Sequence, residues 1–505
     1  MSQFAVTFLL ATVLLQTSIS AASQSMEHCC AALSASIGLN KVLFPNTTLY
    51  DESATSYFAQ QEGELSPYCY VKPTSSSDVS IIAKTLFQLN SDPIPVCPFA
   101  VRGGGHHTVI GIANIHDGIT IDLGNINQTI LNSDKTIASV GSGARWGSVY
   151  STLVPEGLAV LGGRESGIGV AGFTTGGGIS YFGARYGFGC DLVSNFEIVL
   201  ANGSISNANA RDNPDLFTAL KGGSNNFGIV TRFDLKTFEL GQYFGGSIYY
   251  LGSESPQLID AFAAFTSNLN FDDRAGLLLS IIYTASEGFI TACTFSYTEA
   301  IENPPLFVNF TSAIPSLLSE TSVSNLSYFA DELGGANTPD NLRQTSITAT
   351  VKPVVSLLQQ IYLLWNTTVP LISSAENLIC SLTLQPLPVS FLNAGPLHGG
   401  NVLGLSSSGG PLVVLTLTVQ YTSKSSDELI AWTTRELFRK IDALAKETAS
   451  SNPWKYLNYA DVTQDVIGSY GATNVQKLKA ASASFDPTGF FQRVQPGGFK
   501  VRRPN

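Results

Sequence analysis

Charge is scarce in this sequence. Asp, Glu, Lys and Arg make up 13% of its 505 residues against 44% hydrophobic residues, which excludes the high-charge, low-hydrophobicity balance of a disordered chain. The formal net charge is −11 with no basic block, so the electrostatic footprint that nucleic acid requires is missing. A small neutral or cationic substrate suits that field better. Long apolar runs are missing too: residues 4–15 are too few to span a bilayer, and no later segment reads as a transmembrane helix. There is no repeat of solenoid period and no low-complexity tract. Only four tryptophans and five histidines occur. The first scarcity argues against the exposed aromatic platform of an oligosaccharide groove, and the second makes any clustering of histidine conspicuous.

The apolar run near the N-terminus is followed by the small residues Ser20, Ala21 and Ala22, which predicts a signal peptide over 1–22 and a secreted protein. Its first residues carry no Lys or Arg, so an uncleaved anchor stays open as the alternative. Asn-X-Ser/Thr acceptors at Asn46, Asn127, Asn202, Asn309, Asn325 and Asn366 suit N-glycosylation on that route. Seven cysteines then predict disulfides with at least one thiol left over, Cys69 stapling the N-terminal segment through Cys29 or Cys30.

Texture divides the rest. After an N-terminal segment over 23–66, short β-like runs (ITIDL, FEIVL, GIVTRFDL) alternate with glycine clusters and a helix predicted over 77–89. This reads as a glycine-rich binding domain over 67–240. Residues 241–452 read as an inserted domain of longer strands (GLLLSIIY, LVVLTLTVQY) and a helix over 426–448, and 453–505 as a tail that comes back to the site.

Glycine is densest in LAVLGGRESGIGVAGFTTGGGISYFGARYGFGCD, residues 158–191. Gly167, Gly169 and Gly172 match the G-x-G-x-x-G of a Rossmann turn, with Asp191 about twenty residues on. That reading is rejected, because Thr174, Thr175 and the glycines 176–178 occupy the place of the helix, where each glycine costs about 1 kcal/mol. The run is instead a loop that can aim successive N–H groups at a pyrophosphate. A single glycine is better read as a turn or bulge; three clusters, at 103–105, 141–143 and 162–178, weaken that reading.

VRGGGHH, VGSGARWGSVY, GVAGFTTGGGISYFGARYGFGCD, DLFTALKGGSNNFGIVTRF and YLNYAD, in that order, closely resemble the berberine-bridge-enzyme-like branch of the vanillyl-alcohol-oxidase flavoproteins, fungal secreted members nearest. The resemblance spans 67–238 and 453–499. It implies an α+β fold: a PCMH-type FAD-binding domain of two α+β subdomains, with an inserted substrate domain of antiparallel sheet covered by helices. It implies FAD held by Arg102, Gly103, Gly104, Gly105 and His107, by Gly169, Val170, Gly172, Thr174, Thr175, Gly177, Gly178 and Asp191, and, near adenine and ribose, by Gly228 and Val230. His106 matches the histidine that bonds to the flavin 8α carbon, since a neutral imidazole can add there and flanking glycines permit the approach. Many relatives carry a second tether, a cysteine, where this chain has Glu165 after Gly162-Gly163-Arg164, so a single covalent link is expected.

In YLNYAD, Tyr459 matches the catalytic base and Asn458 a residue holding flavin or substrate. Two departures stand out: Ala460 replaces a common Arg, and the strand over 412–421 offers only Thr416, Thr418 and Gln420 where relatives place a carboxylate. His398 reads as a turn residue rather than a pocket residue, Trp146 as core and Cys190 as a packed thiol. The resemblance implies an FAD-linked oxidase that takes hydride from a small secondary-metabolite alcohol, amine or phenol-activated carbon and passes the electrons to O2. The alternatives are a carbohydrate oxidase, a flavoprotein guiding a cyclisation, or a binder that has lost flavin. No metal and no nucleic-acid partner is expected, and oligomeric state is not legible.

Overall fold

The computed structural model describes residues 24–91, 96–337 and 342–501, so the signal-peptide expectation lies outside the described residues. Among these, no helix is long and apolar enough to cross a membrane. Three main sheets organise the chain. The first has four strands in the order Val42–Leu43, Cys69–Val71, Ile119–Asp122, Phe99–Arg102, the last three mutually parallel. Its helix, Ser76–Leu89, starts where Ser75 Oγ accepts from the Asp78 N–H at 3.2 Å, and buries Val79, Ile82, Ala83 and Leu86. The second sheet is antiparallel, in the order Thr129–Leu131, Ile137–Gly141, Ile229–Lys236, Val193–Val199, Ile205–Asn209.

The third sheet has nine strands drawn from Tyr243–Leu251 to Ser451–Asn452. Its strands alternate. Val413, Leu415, Leu417 and Val419 of Leu412–Tyr421, with Cys380, Leu382 and Leu384 of Ile379–Leu387, enter an apolar core under the helices Ser255–Thr266, Val355–Thr368 and Asp427–Glu447. The long helix buries Ile430, Thr434, Leu437, Phe438 and Ile441, a face that recurs every three to four residues. The opposite face carries Ser381, Thr383, Gln385, Thr416 and Thr418, and Tyr456 and Trp454 of the tail share a core with Leu387 and Val414. This is an α+β architecture.

Two disulfides tie down the N-terminal segment. Cys30 bonds Cys69, one of the two pairings the sequence left open, and a second bond, Cys29 to Cys97, was not foreseen. Cys190, Cys293 and Cys380 are free and buried. The segment is also woven into the sheets, because Val42–Leu43 pairs with Cys69–Val71. One local expectation needs correcting: the stretch after Gly169 does form a helix, Val170–Thr175, which carries the single glycine Gly172 on its exposed side and stops where three glycines follow at 176–178. Six residues is all it reaches.

Candidate functional site

Three glycine-bearing segments meet backbone to backbone. A Cβ on Gly104 would be driven into the Gly169 Cα and N, and one on Gly169 would lie 2.5 Å from the Gly104 Cα. Neither contact can yield, since each would press on main chain. Gly103 faces Ala171 and the Ser142 carbonyl, while the Ser142 N–H and Oγ bond the Thr231 and Val230 carbonyls at 3.1 and 2.5 Å. Gly105 and, further on, Gly177 and Gly178 have positive φ (65°, 113° and 83°), the left-handed region that a side chain rarely adopts. The junction is bound by Arg145, whose guanidinium donates to the Gly167 carbonyl and, at 2.9 Å, to the Gly104 carbonyl. Nothing in the sequence marks that residue beyond its place in GARWG.

Several features of this junction fit FAD. Gly172, exposed on the short helix, and Gly167 have nothing within 4 Å of where a Cβ would stand, so open space lies over glycine backbone. Thr174 Oγ1 is buried there with no hydrogen-bond partner, the state of a hydroxyl waiting for a ligand acceptor or donor. His106 is half-buried, 24% exposed, with its ring stacked on Phe58 (centroids 4.0 Å, 20°) and Nε2 3.9 Å from Glu165 Oε2. Desolvation, reinforced by the Arg145 cation, holds its imidazole well below the usual histidine range, hence neutral.

His107 does more than line the loop. Its Nδ1 accepts from the Val109 N–H at 3.0 Å, which leaves the Nε2–H to donate to the Leu457 carbonyl at 3.1 Å. It thereby ties the VRGGGHH loop to YLNYAD. In that segment Tyr459 lies in a polar cluster: Arg164 Nη2 donates to its hydroxyl at 2.7 Å and to Gln385 Oε1 at 3.0 Å, and the hydroxyl sits 3.4 Å from the same Oε1. Tyr459 also packs edge-on against Tyr456, ring centroids 4.6 Å apart. The polar partner sought on the 412–421 strand therefore comes from its neighbour, where Gln385 pairs across from Val414.

Other predicted residues are committed to the protein itself. Both Asn458 amide hydrogens are spent, on the Phe173 carbonyl (3.1 Å) and the Tyr456 hydroxyl (3.0 Å), and the side chain packs on Gly176, so it fastens the tail to the glycine loop. Asp191 is buried, accepting from the Phe188 N–H at 2.9 Å and Asn401 Nδ2 at 2.8 Å, and closes the GFGCD turn. Arg102 is buried between the Ser53 and Ser56 carbonyls (2.7 Å each) over the Tyr57 ring. Thr175 Oγ1 bonds the Ala171 carbonyl, and Gly177 and Gly178 accept from Cys190 and Gly189. Gly228 is required by the Val199 carbonyl, 2.6 Å from its notional Cβ, and Val230 lies in the second sheet beside Ser142. Trp146 is core beneath Gly162 and Gly163, Cys190 a packed thiol pushed up by burial, and His398 the residue ending the helix Val389–Leu397.

Residues 67–209 match a family described as an FAD binding domain. An FAD-dependent monooxygenase of Emericella nidulans is 36% identical over 482 residues, 94% of this chain and 99% of the relative. Another relative, an oligopeptidase of Diaporthe leptostromiformis, is 37% identical over 479 residues, but this chain spans only 38% of its length. Among solved structures, the xylooligosaccharide oxidase of Myceliophthora thermophila C1 superposes with a TM-score of 0.75 at 18% identity, covering 95% of this chain and 100% of the other. Berberine bridge enzyme, as a histidine-to-alanine variant in complex with (S)-reticuline, gives 0.74 at 15%, covering 94% of this chain and 99% of the other.

Proposed function

The chain belongs to the berberine-bridge-enzyme-like FAD-linked oxidoreductases of the vanillyl-alcohol-oxidase family, and from that premise we propose that it is a secreted oxidase tethered to FAD through His106 alone. Its substrate is a small secondary metabolite oxidised at a carbon next to an alcohol, amine or phenol, with O2 as electron acceptor. The observation that carries this reading is the Arg164–Tyr459–Gln385 cluster. When bound, FAD supplies the hydride acceptor. The protein does the rest. Gly103, Gly104, Gly105, Gly169, Val170, Gly172 and the Thr174 hydroxyl would hold the cofactor, and Glu165 offers no thiol for a second tether. Tyr459 receives the proton leaving the substrate, the Arg164 guanidinium meets the charge that develops on the phenol oxygen, and Gln385 fixes the direction of the hydroxyl.

Secretion is supported by the two disulfides and by Asn46, Asn127, Asn202 and Asn309, all exposed acceptor sites. The division of labour follows the sequence reading: 67–240 and 453–505 carry the flavin, 241–452 the substrate. One observation favours a carbohydrate instead. The half-buried Ser280, Ser381, Thr383 and Thr418 give the nine-stranded sheet a hydroxyl-lined face without a charged group among them, suited to a polyhydroxylated ligand.

Acid precipitation of the secreted protein tests the tether. Yellow colour should stay in the wild-type pellet and move to the supernatant in His106→Ala; a colourless wild-type pellet overturns the covalent link. Oxygen uptake is then followed over a panel of metabolite alcohols, amines and phenols beside oligosaccharides. Peroxide formed one-for-one with product supports the oxidase, oxygen incorporated into product makes it a monooxygenase, and turnover without oxygen makes it a cyclase.

A further inference from the structure

The N-terminal segment reaches the flavin loop at one point of unusual geometry. Phe58 stacks nearly parallel on the His106 imidazole, and its N–H donates to the Gly105 carbonyl at 3.1 Å. Its neighbours are fixed on every side. Tyr57 lies beneath the Arg102 guanidinium and against Gly105, and its hydroxyl donates to the Ala113 carbonyl at 3.3 Å. Gln61 exchanges two hydrogen bonds with the Gln344 backbone, and Glu62 accepts from the Gly111 and Ala113 N–H groups at 2.5 and 2.7 Å. The strap over 57–62 thus joins the nine-stranded sheet to both ends of the histidine loop. One ring face of His106 is covered by Phe58 while its Nε2 edge confronts Glu165.

We infer that Phe58 is a positioning residue for covalent flavin attachment, holding the imidazole at the angle from which a ring nitrogen meets the 8α carbon; this rests on the tether proposed above. Attachment forms one C–N bond and breaks one 8α C–H and the imidazole N–H. The two electrons released pass to O2, which takes up the two protons as hydrogen peroxide. The rate follows the fraction of time the nitrogen faces the carbon, and a ring free to turn about its side-chain torsions spends most of its time elsewhere. Phe58 removes that freedom by stacking, and keeps water from the ring face.

The experiment uses full-length protein refolded or expressed without flavin and then supplied with FAD. Two quantities are read: reversible FAD affinity by fluorescence, and the time course of flavin that survives acid precipitation. Phe58→Ala should slow covalent incorporation by ~10-fold or more while reversible affinity stays within about threefold, and Phe58→Tyr should restore the wild-type rate. An unchanged rate in Phe58→Ala, or a loss of rate that merely tracks a loss of affinity, overturns the inference. Should Phe58→Ala not fold, Phe58→Leu, which fills the volume without a stacking plane, decides by the same criteria. A wild-type protein that binds FAD and never acquires acid-stable flavin overturns the tether itself, an outcome separate from any difference among the variants.

Discussion

The two sides of this site are made of different material. On the flavin side, Gly103, Gly104 and Gly169 bring main chain against main chain, and what distinguishes the surface is the absence of side chains. On the sheet side, Gln385, reached by Arg164 from the glycine-rich turn, meets Tyr459 from the tail, and the surface is nothing but side chains. The backbone side fixes where a cofactor can lie and tolerates almost no substitution. The side-chain side sets what happens to a substrate and can change one group at a time while the sheet's apolar face holds the fold.

That contrast is broken most forcibly at Gly104. Gly104→Ala sets a methyl against the Gly169 backbone and should destabilise the protein by about 3 kcal/mol or more, seen as lost soluble yield or a collapsed Tm. Gly172→Ala should act in the opposite sense. Its Cβ meets nothing within 4 Å, so the flavin-free protein gains about 0.5–1 kcal/mol of helix stability, while the new methyl occupies the space assigned to FAD and lowers flavin content. Equal losses from both would mean the glycines serve only general packing.

On the sheet side, Tyr459→Phe should leave the fold and flavin content intact and slow flavin reduction by substrate about 100-fold, the scale of a lost general base. Gln385→Leu should cost about 10-fold, since it removes orientation and leaves Arg164 in place. Stopped-flow reduction of the loaded protein reads both; wild-type rates in Tyr459→Phe would move the proton acceptor elsewhere. Between the two sides stands Arg145, which grips the Gly104 and Gly167 carbonyls. Arg145→Met should destabilise by about 2 kcal/mol, with loosened flavin binding, measured by thermal melts with and without FAD.

The same division decides how much could be read in advance. Strands such as ITIDL, GIVTRFDL and LVVLTLTVQY and the helix Asp427–Glu447 are written in local periodicity, and they stand within a few residues of expectation. Glycine clusters are equally visible, because the need for no side chain is recorded in the residue itself. What each glycine meets is not: Gly228 answers to a carbonyl of its own sheet, Gly104 to another loop. Side-chain partnerships were hidden wherever the fold joins distant segments. Arg164 and Tyr459 are 295 residues apart, and nothing local to either marks the pair. Asp191, which the family resemblance places among the flavin contacts, has oxygens that are used to close a turn. Asn458 likewise matched a motif while its amide serves the loop beside it.

A change of pH tests whether the strap belongs to the backbone side. Glu62 is fully buried, and desolvation pushes its carboxyl up from 4.5 to about 7 even though the Ala113 and Gly111 N–H groups, and more distantly Arg102, favour the charged form. Between those values the unfolded chain releases this proton while the folded chain keeps it. The unfolded state then binds fewer protons, so the Glu62 contribution falls as pH rises from 4.5 to 7, by up to ~1.4 kcal/mol per pH unit, and is level on either side. Glu62→Gln removes the titration and keeps an oxygen acceptor for one N–H. Melting curves across pH 4.5 to 8 should show a flatter slope for the variant than for the wild type. Parallel slopes would mean the two backbone donors outweigh burial and Glu62 is ionised throughout, in which case the strap holds the histidine loop by a charge rather than by a neutral acid.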